Sequence, residues 1–210
     1  IGSLEYYNEL GWETINRVSP NLNGGARGLH LGGFTSPGES DVIDYITIAT
    51  LGNAIDFGNL VDGNRVNGGC ASSTRGISGG GYTGPTYVNS IDYITISSTG
   101  NAADFGDLTQ ARFNVGGASN QTRGLFYAGE GSPSYINVVD YITIAATGNA
   151  VDFGDIQDQN GQIGQNNGVS SPTRIVAAGG YVNPGAYTNV IGYFTIATTG
   201  NATDFGDSTV

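Results

Sequence analysis

Apolar and aromatic residues in this chain come in short runs separated by glycines, a pattern that suits an all-β protein with many tight turns. The run VVDYITIA (138–145) shows the logic of one strand. Val139, Tyr141 and Thr143 point one way, and Val138, Asp140, Ile142 and Ile144 the other. Both faces carry bulky groups. A strand packed on both sides reads like this, whereas a sheet with one wet face does not.

The pattern repeats. Asp44, Asp92 and Asp140 each precede Tyr-Ile-Thr-Ile at intervals of 48 residues, and Gly192 precedes Tyr-Phe-Thr-Ile 52 residues on. Arg27, Arg75, Arg123 and Arg174 form a second column, spaced 48, 48 and 51. The Gln/Asn-rich stretch 157–167 absorbs the extra residues of the last interval as a longer loop.

One unit can be spelled out from the third copy. TRGLFYAG (122–129) is a first strand beginning at the arginine, and GEGSPS is a turn. YINVVDYITIAA (135–146) is the longest strand, TGN (147–149) a hairpin turn, and AVDFGDI (150–156) a third strand. ARFNVGGAS (111–119) of the second copy supplies the fourth. Four antiparallel strands in about 48 residues fall in the range of propeller repeats, and a propeller blade is covered on both faces.

The expected fold is therefore a four-bladed β-propeller. Its blades are 27–74, 75–122, 123–173 and 174–210, and segment 1–26 comes in front. On this reading the last blade lacks its outer strand, and residues near Thr14–Val18 close the ring by supplying it, hiding an edge. The rival is donation of that strand to another molecule, which would polymerise.

Composition narrows the function. The chain has 210 residues, with 36 glycines and a net charge of −11. Its seven cations are all arginine. Such a surface repels phosphate backbones, which opposes nucleic-acid binding, and it offers no basic patch to an anionic membrane. No apolar run approaches the length of a membrane span. Cys70 stands alone, so no disulfide forms within the chain. The start at Ile1 and the absence of methionine suggest a processed product or part of a longer protein.

GLHLGGF (28–34), GISGGGY (76–82) and RIVAAGGY (174–181) resemble kelch-like propeller repeats, in which an apolar run meets paired glycine and an aromatic residue. The third copy departs, with Ala128-Gly129-Glu130, and the usual tryptophan is missing, since Trp12 lies outside the repeats. The phrase DYITIxxTGNAxDFGDL looks like repeats in structural proteins of tailed phages, especially from marine and cyanobacterial hosts. The likeness covers nearly the whole chain after Gly24. It implies a virion or appendage component such as a fibre, tail or decoration protein.

Asp-Phe-Gly holds magnesium in protein kinases, but a catalytic loop needs one copy and this chain has four. Asp56, Asp104, Asp152 and Asp204 precede Phe-Gly, while Asp107 and Asp155 lie three residues after Asp104 and Asp152. Two readings follow. Asp104, Asp107, Asp152 and Asp155 could hold calcium through oxygen ligands, or the carboxylates accept backbone N–H bonds in turns. The spacing favours turns, so no cofactor is expected.

The arginine column (Arg27, Arg75, Arg123, Arg174) and the Asp-Phe-Gly aspartates suggest one Arg–Asp pair per blade. The Phe57, Phe105, Phe153, Phe205 and Tyr45, Tyr93, Tyr141, Tyr193 columns read as blade-to-blade core. Tyr87, Tyr135 and Tyr187, beside Asn89, Asn137 and Asn189, read either as aromatics closing a strand entrance or as a surface that stacks on sugars.

Catalysis has little support. His30 is the single histidine, expected in a first strand near the axis or core, and repeated carboxylates read as fold requirements. Glu39 and Glu130 break the columns and would be the first glycosidase candidates to test. Asn120 and Asn201 begin glycosylation sequons. The expectation is a non-enzymatic extracellular structural or adhesion module, partnered by other virion or fibre subunits and by copies of itself. A host-surface glycan is a further partner, a lectin-like propeller the second reading, and a polysaccharide-cleaving enzyme the third.

Overall fold

A computed structural model describes residues 5–8, 11–14, 27–132, 136–156, 168–182 and 186–209. Among these the chain is all-β, with seventeen strands and no helix. β1 (Glu5–Asn8) and β2 (Gly11–Thr14) form a hairpin of their own. The first sheet has three strands, β3 (Arg27–Thr35), β4 (Gly38–Thr47) and β5 (Ile55–Asn59). The second has four: β6 (Gly68–Ala71), β7 (Arg75–Tyr82), β8 (Tyr87–Thr95) and β9 (Ala103–Asp107). The third comprises β10 (Gly116–Ser119), β11 (Arg123–Tyr127), β12 (Val138–Thr143) and β13 (Val151–Asp155). The fourth comprises β14 (Gly168–Ser170), β15 (Arg174–Val182), β16 (Ala186–Thr195) and β17 (Thr203–Asp207). Every pairing is antiparallel and sequential.

Three expectations need correction. First, the strand within ARFNVGGAS is Gly116–Ser119, and it pairs forward with Arg123–Tyr127. It opens the following sheet rather than ending its own. The next arginine strand is only a short turn away, so pairing it there closes the smaller loop.

Second, that shift completes the fourth sheet, which holds four strands of its own. Among the described residues the sheet left short is the first, with three strands. Among the described residues β2 does not join the fourth sheet; it pairs with β1 in a separate hairpin. Residues 15–18 of the expected closing strand lie outside the described residues.

Third, Thr-Gly-Asn is not a two-residue hairpin turn. The chain turns at Thr143–Ala146, and the Gly148-Asn149 segment runs on to touch the preceding sheet, where the Gly148 N–H donates to the Phe105 carbonyl at 2.7 Å.

The paired glycines also have a structural role. Gly32 and Gly80 have φ of 71° and 66°, and β3 and β7 change register there. The third copy keeps the conformation without the glycine, with Ala128 at φ 58°.

Consecutive sheets stack face to face. Each presents a forward face of Tyr and Phe to the rear face of the next, built on the isoleucines of Tyr-Ile-Thr-Ile. Ile43 and Phe57 pack against Ile94, and Ile91 and Phe105 against Ile142 and Ile144. Val139 and Phe153 meet Phe194 and Ile196 in the same way. The two-faced strand expected at 138–145 is thus observed, with Val139 and Ile142 both buried on opposite sides. The Tyr and Phe columns meet edge to face, as in Tyr93–Phe105 at 5.9 Å. The two outermost faces of the stack, at its first and last sheets, are exposed.

Candidate functional site

The repeated polar residues form clasps between sheets. Arg27 Nη1 donates to the Ile96 carbonyl at 2.6 Å, Arg75 to Ile144 at 2.8 Å and Arg123 to Ile196 at 2.8 Å. Each guanidinium also lies over the tyrosine of its own sheet, Arg75 over Tyr93 at 4.6 Å and Arg123 over Tyr141 at 4.8 Å. This corrects the expected Arg–Asp pairs. None of these arginines bridges to an aspartate among the described residues. A flat cation satisfies the ring face and a carbonyl together.

The Asp-Phe-Gly aspartates serve their own turns. Asp104 accepts the Gly106 N–H at 3.2 Å, Asp152 that of Gly154 at 3.2 Å and Asp204 that of Gly206 at 3.0 Å. Asp56, Asp104, Asp152 and Asp204 are exposed. The main-chain N–H groups of Asp107 and Asp155 donate to Asn149 and Asn201 Oδ1 of the next sheet at 3.1 Å each. Among the described residues no group of three or more His, Cys, Asp or Glu side chains could hold a metal ion.

The glycine of this triplet is one place where consecutive sheets approach closely. Gly106 has φ 142°, and a Cβ there would stand 2.5 Å from the Gly148 carbonyl oxygen. Ala at this position is therefore excluded by the neighbouring backbone as well as by the dihedral.

The buried ion pair uses a different column. Asp140 takes Arg112 Nη2 at 3.0 Å and the Thr109 hydroxyl and N–H at 2.7 and 3.0 Å, and both charged side chains are wholly buried. Arg112 Nη2 also donates to the Phe126 carbonyl at 3.2 Å, while its Nε and Nη1 have no partner. Burial pulls the Arg112 pKa down, and Asp140 opposes that. In the previous sheet Asp92 accepts the Val61 N–H at 3.2 Å, and burial raises its pKa. The sequence reading missed Arg112 because it has no column: the residue 48 positions earlier is Asn64, which holds the Gly80 carbonyl at 2.7 Å instead.

The sugar-binding candidates separate. Tyr87 stacks on Phe113 with centroids 4.6 Å apart, and its hydroxyl reaches Glu130 at 3.4 Å. It lines a groove of about 760 Å³ together with Tyr82, Gln110, Ser132 and Ile136. Tyr187 is exposed and meets Tyr181 edge to face at 5.6 Å. Tyr135 lies outside the described residues. Asn89, Asn137 and Asn189 each use the main-chain carbonyl to hold the residue after the last strand of their sheet, through the N–H groups of Leu108, Ile156 and Ser208.

Beside the groove, Arg65 sits between Phe34 and Tyr82, 4.9 Å from each ring, with Glu39 at 3.3 Å. Glu39 and Glu130 are thus tied to separate partners. His30 is exposed on the rear of the first sheet rather than held in the core. Of the two sequons, Asn120 Oδ1 caps the Thr122 and Arg123 N–H groups at 2.9 and 2.8 Å, and Asn201 serves the clasp above. Cys70 is partly exposed by surface area, but its sulfur points inward toward Gly124, and burial pushes its pKa up to about 12.

No protein-family model matches the chain, and no curated protein matches it.

Proposed function

We propose that the chain is a non-enzymatic structural module whose sheets act as propeller-like blades, serving as a fibre, tail or decoration component of a virion. The observation carrying this is where the repeated polar groups go. Most of the recurring arginines, asparagines and aspartates are engaged with a neighbouring sheet or their own turn, as Arg27, Arg75 and Arg123, Asn101, Asn149 and Asn201, and Asp104, Asp152 and Asp204 are, and a fold built this way presents faces and edges for assembly. The phrase-level likeness to phage structural repeats supports the virion setting. The test is immuno-gold imaging of the native particle with antibodies raised to this chain: labelling of an appendage or shell is expected, and labelling confined to host cytoplasm with no particle would end the reading.

A second reading, carbohydrate binding, is favoured by one feature, the groove holding Tyr82, Tyr87, Gln110 and Ser132. Half-buried tyrosine rings beside amide and hydroxyl groups suit sugar rings. A glycan array separates the two readings, since a hit abolished by Tyr87→Ala supports the second.

A further inference from the structure

Three junctions inside this chain share one design, and the first and fourth sheets display the two halves of a fourth. On the forward side Phe205 is 58 % exposed, whereas Phe57, Phe105 and Phe153 are 3, 2 and 2 % exposed. On the rear side Ile48 is 66 % exposed, whereas Ile144 and Ile196, its counterparts two and three units on, are each 1 % exposed.

The polar halves match as well. Arg174 lies over Tyr193 at 4.5 Å like its counterparts, but its guanidinium has no carbonyl partner among the described residues. The carbonyl at the corresponding position belongs to Ile48. A Cβ on Gly206 would meet nothing within 4 Å, although the other three glycines of its column lie against the next sheet.

We propose that the chain binds a second copy of itself head to tail, the forward face of the fourth sheet seated on the rear face of the first. The internal junctions prescribe the contacts. Phe205 packs on Ile46, as Phe57 does on Ile94. Arg174 Nη1 donates to the Ile48 carbonyl, and the Gly52 N–H to the Phe205 carbonyl. Thr209 occupies the place of Thr109, so its N–H and hydroxyl meet Asp44 as those of Thr109 meet Asp140.

One difference weakens the junction. Ser208 stands where Leu60, Leu108 and Ile156 are buried in the other sheets, so this junction buries less apolar surface than the internal ones and is weaker. The interface is heterologous and does not terminate itself: copies string into filaments or close rings of several chains. The proposal deepens the assembly-module reading and rests on it only for its biological use.

Sedimentation velocity on the full chain tests it. Wild type should grow beyond a dimer as concentration rises. Ile48→Glu and Phe205→Glu should each sediment as a monomer with an unchanged melt, since both positions are exposed, and Arg174→Glu serves as a second forward-face variant. Mixing Ile48→Glu with Phe205→Glu leaves one good junction per pair, so the mixture should give a 1:1 dimer and nothing larger. A wild type that stays monomeric at every concentration overturns the proposal, and so does self-association unaffected by the variants or a mixture that does not dimerise. In a monomeric wild type, a lowered melt of Ile48→Glu would mean that the chain covers this face itself. Glycan binding by the monomeric variants would overturn the assembly-module reading while leaving the head-to-tail junction intact.

Discussion

Arg123 and Ile196 lie 73 positions apart in sequence, yet the arginine Nη1 donates to the isoleucine carbonyl at 2.8 Å across a sheet-to-sheet junction. Two further arginines repeat the contact. A guanidinium sandwiched between a tyrosine ring and a carbonyl gains a charged hydrogen bond and a cation–π contact together. Arg123→Ala should therefore cost about 1–3 kcal/mol in urea unfolding. Arg174→Ala, which loses only the tyrosine contact, should cost about 0.5–1 kcal/mol in the dilute chain. Equal effects would show that the carbonyl bond contributes nothing.

The glycine column gives a matched pair. Gly106→Ala meets both a positive-φ penalty and the Gly148 backbone, and Gly206→Ala meets only the first. The unfavourable dihedral costs about 1–3 kcal/mol, so Gly206→Ala should fall in that range and Gly106→Ala clearly beyond it. Denaturant midpoints of the two variants measure the difference.

Arg112 and Asp140 are buried together. Removing one member leaves an uncompensated charge, so Arg112→Met should destabilise by about 3–5 kcal/mol. Arg112→Met combined with Asp140→Asn removes the stranded charge and keeps an acceptor for the Thr109 N–H, so it should recover a substantial part. Chemical denaturation of wild type and the three variants closes this cycle.

Burial raises the Asp92 pKa, with the Val61 N–H as the main opposing influence. A carboxyl whose folded pKa lies above its unfolded value contributes stability that is full below the unfolded pKa and lost as pH rises through the folded pKa. Asp92→Asn keeps an acceptor for Val61 without the charge. Its melting temperature should therefore equal or exceed that of wild type at pH 7, and the advantage should shrink on acidification. A variant less stable than wild type at pH 7 would show that the charge itself is needed.

With its pKa at about 12, the Cys70 thiol should alkylate with iodoacetamide at pH 8 on the order of a thousandfold more slowly than a free cysteine. Unfolding in urea should restore the ordinary rate.

The repeat and its strands were legible because Asp-Tyr-Ile-Thr-Ile and Asp-Phe-Gly recur at a spacing that a sheet unit requires. So were the two-faced strand at Val139 and Ile142 and the turn role of Asp104. The phase of the unit was not legible: Gly116–Ser119 can follow one sheet or open the next, and only the pairing with Arg123–Tyr127 decides. The arginine partners were hidden for another reason. Their acceptors are main-chain carbonyls on the next sheet, which leave no signature in residue type. Asp140 looked like a repeat marker, and its real partner, Arg112, occurs in one unit alone. The place of Tyr87 at a strand entrance was legible, but Phe113 and Arg65, which lie around it, come from linkers outside the columns.

Amide hydrogen exchange on the wild-type chain, at a dilution where it sediments as a monomer, tests the stacked, open-ended arrangement most directly. The N–H groups of Gly100, Gly148 and Gly200 donate to the carbonyls of Phe57, Phe105 and Phe153 in the preceding sheet at 2.7, 2.7 and 2.8 Å, whereas the Gly52 N–H makes no such bond among the described residues. Gly100, Gly148 and Gly200 should exchange slowly and Gly52 near the rate of an unstructured peptide. Protection of Gly52 equal to the others would mean that the stack closes on itself, and fast exchange at all four would mean that the clasps do not form.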